Sequence, residues 1–441
     1  MLVFYLYADN YRGFSDALIP FGSATFLVGE NSTGKSSLLS LLHLLAYPNM
    51  WLTGALSTEI GVELGGFDDL VSARAPHRET FTVGLLHGGL SGRAAGRGAQ
   101  WRFTLFTYMR GREGVPALAR FSQFADGHLA ELDLARSDGL RYRAVPYSEA
   151  GDTWEAAEAL LRQVAGGGDE SAPAAFQVAP AELGRRTPIP FLLSFATQGE
   201  TGDFERFEAT FELNHPLGGA TAFMAPVRTA PKRIYSGTRV PFTPEGDHAP
   251  YALRSILRAR PRRRDELVSL LQTFGESSGL FQSVRTRNFG RSSSNPFEVL
   301  VELSDTPINL SNVGYGVSQC LPLVVQMLTG PQGATIAMQQ PEVHLHPRAQ
   351  AALGELLHWM ASERAHTYIV ETHSDYIVDR FRLCVKRSGK PEDARVLFFE
   401  RTAEGNVCHD LPIAPSGQYP ENQPASFRDF FINEQIDLLG V

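Results

Sequence analysis

The sequence predicts an α/β fold around a mixed or parallel β-sheet, and three observations indicate it. Short apolar runs alternate with helical patterns in the last third of the chain, which is typical of parallel strands joined by helices. Near the start, an apolar run leads into a glycine-rich turn and then into leucines at helical spacing. No long heptad region is present, so the part between these two regions is predicted to be a globular α+β insertion and not a coiled-coil arm.

In the first third of the chain, strands are predicted where short runs rich in Val, Phe, Tyr and Leu are bounded by Gly or Asp. These runs are residues 2–7, 24–28, 81–86 and 101–106. Leucines on one helical face predict a helix over residues 36–46. The Gly- and Arg-rich stretch 88–98 is predicted to be a mobile loop tip.

The middle of the chain carries weaker patterns. Residues 125–190 are rich in Ala, Gly, Glu and Arg, and a helix is predicted near residues 154–164. A loop or flexible connection is predicted where three glycines at 166–168 end this helix and Ala and Pro residues follow. A strand is predicted at 207–213 and a basic helix within 250–274. In the last third the alternation gives strands at 298–303, 334–338, 367–370 and 396–399, and helices at 318–328, 347–362 and 374–387.

Composition indicates an ordinary folded protein. Of the 441 residues, 43% are hydrophobic and 20% are charged, so the chain can bury a large core. The net charge of −8 argues against a chain that coats nucleic acid over its whole surface, but it allows a local basic patch. Three widely spaced cysteines predict neither a disulfide framework nor a zinc site and fit a cytoplasmic location. No apolar run is long enough to span a membrane, so no membrane partner is expected.

The first motif is a phosphate-binding loop at residues 29–36. It has the pattern G-x-x-x-x-G-K-S between a predicted strand and a predicted helix. Its backbone N–H groups and the helix N-terminus attract phosphate, Lys35 adds a cation, and the Ser36 hydroxyl can bind Mg²⁺. ATP and Mg²⁺ are therefore the predicted cofactors. The predicted nucleotide-binding residues are Gly29, Asn31, Ser32, Thr33, Gly34, Lys35, Ser36 and Ser37.

A second group of motifs lies in the last third of the chain. The strand at 334–338 has the apolar character of an element that delivers acidic groups to Mg²⁺ and to the attacking water. A Gly-rich turn opening onto a helix precedes it, and a strand ending in Glu-Thr-His follows it. The predicted catalytic residues are Gln339, Gln340, Glu342 and His373, and the predicted metal ligands are Ser36 and Gln339. The residues predicted to act as a signature towards a second subunit are Asn312, Gly314, Gly316 and Ser318.

This order of motifs resembles that of ABC-type ATPases, including the heads of SMC and RecF proteins. The residues of the motifs are most similar to those of bacterial OLD-like ATPases of the AAA family, through residues 341–347 (PEVHLHP) and 371–374 (ETHS). Residues 10–14, 67–71 and 226–228 also resemble segments of these heads. The resemblance covers residues 1–85 and 300–400.

The resemblance implies a division of the chain into four parts. Residues 1–95 form a first ATPase lobe with the phosphate loop, and 96–295 form the insertion. Residues 296–400 form a second lobe with the signature and the catalytic strand, and 401–441 form a C-terminal segment.

The resemblance also implies a homodimer, or a higher even oligomer, that encloses ATP head-to-tail. Ser318 and Gly316 would then reach the γ-phosphate held by Lys35 of the partner subunit. His373 would contact the same phosphate from the subunit that holds it.

One residue departs from the family pattern, because Gln339 stands where the family usually has an acidic residue. An amide neither anchors Mg²⁺-bound water as a carboxylate does nor accepts a proton from it. Either the chain naturally turns ATP over slowly, or Gln339 is an engineered replacement of Glu that traps the ATP-bound dimer. The intact state of every other motif residue favours the second interpretation. Glu342 and Glu371 remain as candidate bases.

The sequence leaves two biological roles open. After residue 399 too little sequence remains for a nuclease domain, so the resemblance to ATPase subunits of anti-phage systems implies a separate effector protein. The alternative is a RecF-like, ATP-gated DNA clamp that uses Arg254–Arg264 with Arg285, Arg287 and Arg291, although these arginines are equally typical of a solvated helix face. An ABC transporter ATPase is disfavoured by the signature and the insertion. His344 and His346 are interpreted as structural or subunit-contact residues and not as a metal pair, since no acidic third ligand is nearby.

Overall fold

The computed structural model describes most of the chain. The described residues are 4–56, 64–75, 77–88, 101–135, 139–147, 153–167, 175–180, 183, 187–193, 196, 215–292, 294–304, 306–391, 393–402 and 405–427. The strand predicted at 207–213 and most of the loop tip predicted at 88–98 lie outside them.

The strands and helices follow the chain in this order. The strands are β1 Phe4–Asp9, β2 Ala17–Phe21, β3 Ala24–Gly29, β4 Thr80–Gly88, β5 Trp101–Arg110, β6 Pro116–Ala125, β7 His128–Asp133, β8 Arg141–Pro146, β9 Gln177–Val178, β10 Thr221–Met224, β11 Ser283–Asn288, β12 Phe297–Glu302, β13 Pro307–Asn309, β14 Thr335–Gln339, β15 Thr367–Glu371, β16 Arg395–Arg401 and β17 Asn406–Pro412. The helices are α1 Lys35–Ala46, α2 Pro48–Thr53, α3 Phe67–Leu70, α4 Trp154–Ala165, α5 Ala249–Leu257, α6 Pro261–Ser278, α7 Tyr315–Thr329, α8 Pro347–Glu363, α9 Asp375–Ser388.

A six-stranded sheet positions the motifs. Its order is β10-β14-β15-β3-β16-β17, with parallel pairing up to β16 and an antiparallel edge strand β17. The register places Glu371 beside Leu27 and Gln339 beside Glu371. Because parallel strands present their carboxyl ends at one edge, the phosphate loop after β3 meets the ends of β14 and β15 there.

Both faces of this sheet are covered, which explains its continuous apolar strands. Phe26 and Met338 point towards a core shared with helices α5 to α9. Leu27 and Ala337 point the other way, into a core shared with α1 and a second sheet. Adjacent residues therefore enter different cores, as the two-residue period of a strand requires. The mixed α/β fold class is confirmed, and the described part of the chain contains no coiled coil.

The second sheet is antiparallel and has the order β2-β1-β4-β5-β6-β7-β8-β9. The sequence analysis predicted no strands over residues 116–146, where β6, β7 and β8 lie. The turn before β7 is Asp126-Gly127, with φ angles of 51° and 76°. These left-handed conformations are those of a tight hairpin turn between antiparallel strands, and Asp-Gly is a preferred sequence for it.

Strand pairing also crosses the predicted domain boundaries. β4 pairs with β5 over its whole length, so the boundary between residues 95 and 96 falls inside one sheet. β10, within the predicted insertion, pairs with β14 in the six-stranded sheet. β17, within the predicted C-terminal segment, pairs with β16. A division of the chain by motif alone therefore separates strands that share hydrogen bonds.

The basic helix predicted within 250–274 is two helices. α5 ends at Leu257 and α6 starts at Pro261, which fits a first helical position because proline lacks the N–H that would be unpaired there. Arg254 is not on the surface: it is 3% exposed, donates to the carbonyl oxygen of Gly237 at 2.7 Å and lies 4.0 Å from the ring centre of Phe297. Arg254 is thus a structural residue and not part of a nucleic-acid surface.

Helices in the described residues are too short or too polar for a membrane. None of them combines the length and the apolar character that crossing a bilayer requires.

Candidate functional site

The phosphate loop has the backbone that its glycines permit. Gly29 and Gly34 have φ angles of 137° and 103°, a region that other residues rarely adopt. A Cβ atom at Gly29 would also collide with the carbonyl oxygen of Phe399 on β16. The loop therefore turns tightly between β3 and α1, and α1 begins at Lys35 with its free N–H groups facing the turn.

Lys35 is held inside the loop. Its side chain is buried, and Nζ donates to the carbonyl oxygens of Gly29, at 2.8 Å, and Glu30. Burial lowers the pKa of the Lys35 ammonium, and the charges of Glu371 and Glu30 oppose that shift. The phosphate oxygens of a triphosphate carry more negative charge than the loop carbonyl oxygens, so they would be stronger acceptors for the Lys35 ammonium group.

Glu371 is the carboxylate nearest to the centre of the site. Ser36 Oγ donates to Glu371 Oε1 at 3.0 Å, and Gln339 Nε2 donates to Glu371 Oε2 at 3.1 Å. A hydroxyl beside a carboxylate is a set of hard oxygen donors, which fits Mg²⁺. The structure thus pairs Ser36 with Glu371 and not with Gln339, which was predicted as the second metal ligand; Gln339 turns a donor towards Glu371.

The sequence analysis named Glu371 only as a candidate base. The sequence did contain a signal for the position of Glu371. Glu371 ends β15, the predicted parallel strand that follows β14 in the chain. Carboxyl ends of neighbouring parallel strands meet, and register places Gln339 and Glu371 side by side.

The other predicted catalytic residues have different surroundings. Gln340 has a φ of 42°, donates its backbone N–H to the carbonyl oxygen of Glu371 at 2.7 Å, and lines the cavity described below. Glu342 accepts from the Thr372 hydroxyl at 2.8 Å and from the His373 backbone N–H at 2.7 Å. Both oxygens of Glu342 therefore link the loop after β14 to the loop after β15. The His373 side chain is exposed.

A cavity of about 730 Å³ opens beside the phosphate loop. Six of the eight predicted nucleotide-binding residues line it: Asn31, Ser32, Gly34, Lys35, Ser36 and Ser37. Gly29 and Thr33 lie behind the loop surface, and the Thr33 hydroxyl donates to the carbonyl oxygen of Glu30 at 2.8 Å.

Three arginines that the sequence analysis did not identify as site residues also line the cavity. Arg12 donates to Ser37 Oγ at 3.1 Å, Arg401 donates to the carbonyl oxygen of Ser32 at 2.6 Å, and Arg74 lies on the same wall. With Lys35 they surround the space with positive charge, which suits a polyanionic ligand. They come from two loops and the end of β16, far apart in the chain, so no local pattern identified them.

The predicted signature residues lie elsewhere on the protomer. None of the four lines the phosphate-loop cavity. Gly314 and Gly316 border a separate groove of about 680 Å³, and Asn312 and Gly314 are exposed. Ser318 is 4% exposed and its hydroxyl donates to the carbonyl oxygen of Tyr315 at 3.1 Å, so in this conformation the start of α7 presents its backbone and not the Ser318 side chain.

The two histidines after β14 have structural contacts. His346 caps α8, with Nδ1 accepting from the Ala349 backbone N–H at 3.4 Å. His344 has a φ of 65°, and its ring centre lies 5.5 Å from that of Tyr315. Among the residues that the structure describes, no three His, Cys, Asp or Glu side chains are grouped to hold a metal ion.

Comparison with known proteins gives a family match over part of the chain. Residues 191–379 match the sequence profile of a family described as "AAA domain, putative AbiEii toxin, Type IV TA system". No curated protein sequence matches the chain.

Among solved structures, the chain is similar to SMC head domains. One is an Smc head bound to the C-winged helix domain of ScpA, with 12% identity and a TM-score of 0.47 over 93% of this chain and 97% of that chain. A second is an Smc head with an extended coiled coil bound to the C-terminal domain of ScpA derived from Pyrococcus furiosus, with 12% identity and a TM-score of 0.42 over 93% and 97%. A third is the SMC head from Thermotoga maritima, with 11% identity and a TM-score of 0.36 over 92% and 97%.

The family match agrees with the motifs. It covers the signature, the catalytic strand β14 and the Glu-Thr-His segment, and the phosphate loop before it meets these elements in one sheet. The match supports the predicted resemblance to AAA family ATPases over residues 191–379, and with it the general expectation of ATP binding and hydrolysis.

Proposed function

We propose that this chain binds MgATP beside the phosphate loop, dimerises head-to-tail on ATP, and thereby controls a separate effector protein. The observation that supports this most is the separation of the two half-sites within one protomer. The phosphate-loop cavity is open, while the exposed start of α7 with Gly314 borders another groove. A second copy would supply the missing half.

In the first half-site, Lys35 and the loop N–H groups would bind the β- and γ-phosphates, and the three cavity arginines would neutralise the remaining charge. Ser36 and Glu371 would hold Mg²⁺, whose role in this class is to neutralise charge that develops on the transferred phosphoryl group. Glu371 would also position the attacking water, since Gln339 provides an amide and not a base. Turnover by this chain is therefore proposed to be slow.

The head-to-tail arrangement is tested with variants that disable one half-site each. Gly314 has a φ of −61°, and a Cβ atom there meets no other atom within 4 Å, so Gly314→Glu keeps the fold and places a negative charge against the partner subunit's nucleotide. Lys35→Ala removes ATP binding instead. Analytical ultracentrifugation with ATP is expected to show dimers for the parent, monomers for either variant alone, and dimers with one complete site for their mixture.

Gly314→Ala serves as the matched control and is expected to dimerise like the parent. The arrangement is refuted if Gly314→Glu dimerises on ATP as strongly as the parent.

The effector role rests on the resemblance to anti-phage ATPase subunits and on the description of the matched family, which names a putative toxin of a type IV toxin–antitoxin system. Three cysteines without disulfide bonds fit a cytoplasmic setting. The test is co-expression with the product of the adjacent gene. ATP-dependent co-purification with the parent and its loss with Lys35→Ala would support the role, and equal recovery with both would oppose it.

A DNA clamp is the second candidate, and one observation favours it. Arg258, Arg260, Arg262 and Arg263 are exposed together at the junction of α5 and α6. Arg285 and Arg287, in contrast, pair with Glu302 and Glu298. Duplex binding that weakens steeply between two salt concentrations, and that is lost when the four exposed arginines become Glu, would select this candidate.

A further inference from the structure

Arg228 is a buried cation in the segment that follows β10. It is 3% exposed, and burial lowers the pKa of its guanidinium. No charged side chain pairs with it at hydrogen-bond distance in the described residues. A charge in such a place is destabilising unless its interactions compensate, so its position between two functional elements calls for a role.

On one side, Arg228 is attached to helix α7. Its backbone N–H donates to Gln319 Oε1 at 3.1 Å, and Gln319 Nε2 donates back to the Arg228 carbonyl oxygen at 3.2 Å. Gln319 directly follows Ser318 in the first turns of the helix. This reciprocal pair ties the segment carrying Arg228 to the start of α7.

On the other side, Arg228 reaches the phosphate loop through three further hydrogen bonds. Its Nη2 donates to the carbonyl oxygen of Gln339 at 3.3 Å. Gln339 Nε2 donates to Glu371, and Ser36 Oγ donates to the same carboxylate. A continuous chain of hydrogen bonds thus runs from α7 to the first helical turn after the phosphate loop.

The guanidinium is also incompletely satisfied. Nε and Nη1 are buried and have no hydrogen-bond partner in the part of the chain that the structure describes. The carboxylate of Glu342 is close enough for its charge to favour the protonated guanidinium, but Glu342 accepts from Thr372 and His373 instead. Buried donors without acceptors cost free energy. A second conformation in which Nε and Nη1 find acceptors would recover that free energy.

We infer that Arg228 couples the two ATP sites of the dimer by linking the α7 half-site to the phosphate loop of the same protomer. The inference rests on the proposed head-to-tail dimer, in which α7 touches one nucleotide and the phosphate loop holds the other. Arg228 touches neither nucleotide and is therefore a positioning residue. ATP bound at one site shifts α7, the shift reaches Gln339 and Glu371 through Arg228, and the other site binds ATP more tightly.

The experiment measures cooperativity and not activity. ATP-binding curves of the full chain are recorded with a fluorescent ATP analogue for the parent, Arg228→Met, Arg228→Lys and Gln319→Leu. The parent is expected to give a Hill coefficient approaching about 2, the number of sites. Because dimerisation on ATP also steepens the curve, Arg228→Met and Gln319→Leu are expected to lower the Hill coefficient below that of the parent. Arg228→Lys is expected to restore part of it because its ammonium group still donates.

Two controls separate coupling from a general loss of structure. Arg254→Lys changes another arginine that is 3% exposed, one that donates to the carbonyl oxygens of Gly237 and Asn295, and is expected to keep the parent's Hill coefficient. Arg228→Met in the Gly314→Glu background reports the affinity of an isolated site, which is expected to stay within about twofold because no second site is there to couple.

Outcomes distinguish this inference from the proposed function. A parent that never dimerises on ATP overturns both. A parent that dimerises on ATP and whose Hill coefficient is unchanged in both Arg228→Met and Gln319→Leu overturns the coupling and leaves the dimer standing. Should Arg228→Met fail to fold, Gln319→Leu and Arg228→Lys decide the question alone.

Discussion

Glu371 is the carboxylate that we propose to hold Mg²⁺ and to position the attacking water. It faces the Ser36 hydroxyl on one side and the Gln339 amide on the other. An acid at position 339 would place two carboxylates in contact, which raises the pKa of one of them unless a cation lies between. The amide removes that repulsion but also removes a second oxygen ligand and a second base.

Gln339→Glu is expected to raise ATP turnover at least about tenfold at saturating Mg²⁺, because a carboxylate can bind Mg²⁺-bound water and accept its proton. Phosphate release under single-turnover conditions measures the change. The parent and Gln339→Asn are the comparison. Unchanged turnover would mean that the amide is native to this chain and that it acts as a nucleotide-gated scaffold.

Glu371→Gln is expected to lower turnover by about 10²-fold or more, in the parent and in the Gln339→Glu background, because general-base residues contribute on that scale. ATP binding without Mg²⁺ should change far less. Glu342→Gln is the informative comparison, since both oxygens of Glu342 are occupied by Thr372 and His373. Equal losses from the two variants would argue against the assignment of Glu371.

Among the elements, those around the parallel sheet were predictable and those of the antiparallel sheet were less so. The strands and helices from β14 to β16 were predicted within about two residues, because uninterrupted apolar strands alternate there with amphipathic helices. β7 and β8 carry polar residues such as Glu131 and Arg143 inside the sheet, where they form a buried ion pair. Their sequences therefore lack the apolar signal of a buried strand.

The site was predictable to the extent that it is local. The phosphate loop, the end of β14 and the end of β15 are each one short continuous segment, and the sequence analysis named residues in all three. Arg12, Arg74 and Arg401 converge only because β16, the β1–β2 connection and the segment after α3 meet at one cavity. Long-range convergence of this kind leaves no periodic pattern in a single sequence.

The histidines packed near α2 and in β4 are expected to make the antiparallel layer sensitive to acid. His215 stacks on Trp51 with ring centres 4.0 Å apart, and burial lowers the pKa of His215 to about 3 and that of His87 to about 4. An unfolded histidine has a pKa of about 6.5. The unfolded chain therefore binds protons that the native chain does not, so stability is complete above pH 6.5 and declines as the pH falls.

His215→Phe keeps the stacking and removes a protonatable group. The stability lost between pH 7 and pH 5 is expected to be smaller in this variant by on the order of 1–2 kcal/mol. Chemical denaturation at the two pH values measures it. Replacement of the exposed His77 by Phe should leave the loss unchanged, and an identical loss in His215→Phe would contradict the proposed origin.

At the scale of the whole molecule, ligand binding and folding are linked through the sheet. β3, which leads into the phosphate loop, is held between β15 and β16, so ATP that binds the native loop stabilises the entire six-stranded layer. ATP at about a hundred times its Kd would add about 2.7 kcal/mol to the free energy of unfolding.

ATP is accordingly expected to raise the melting temperature of the parent by a few degrees and to leave that of Lys35→Ala unchanged. Arg401→Ala should show an intermediate shift, because it removes one cation from the cavity wall. Arg380, which pairs with Glu355 away from the cavity, provides the matched surface control. A full shift in Arg401→Ala would exclude that arginine from the nucleotide site.

The central place of β3 also has a consequence for biosynthesis. The residues that flank this strand are 367–371 and 395–399, which the ribosome adds long after residue 29 has been made. Until they emerge, the glycine turn has no strand on either side to hold it, and contacts of such sequence separation form slowly. If the proposed function holds, a growing polypeptide would not capture ATP early, and copies would assemble only after translation has passed the last of these strands.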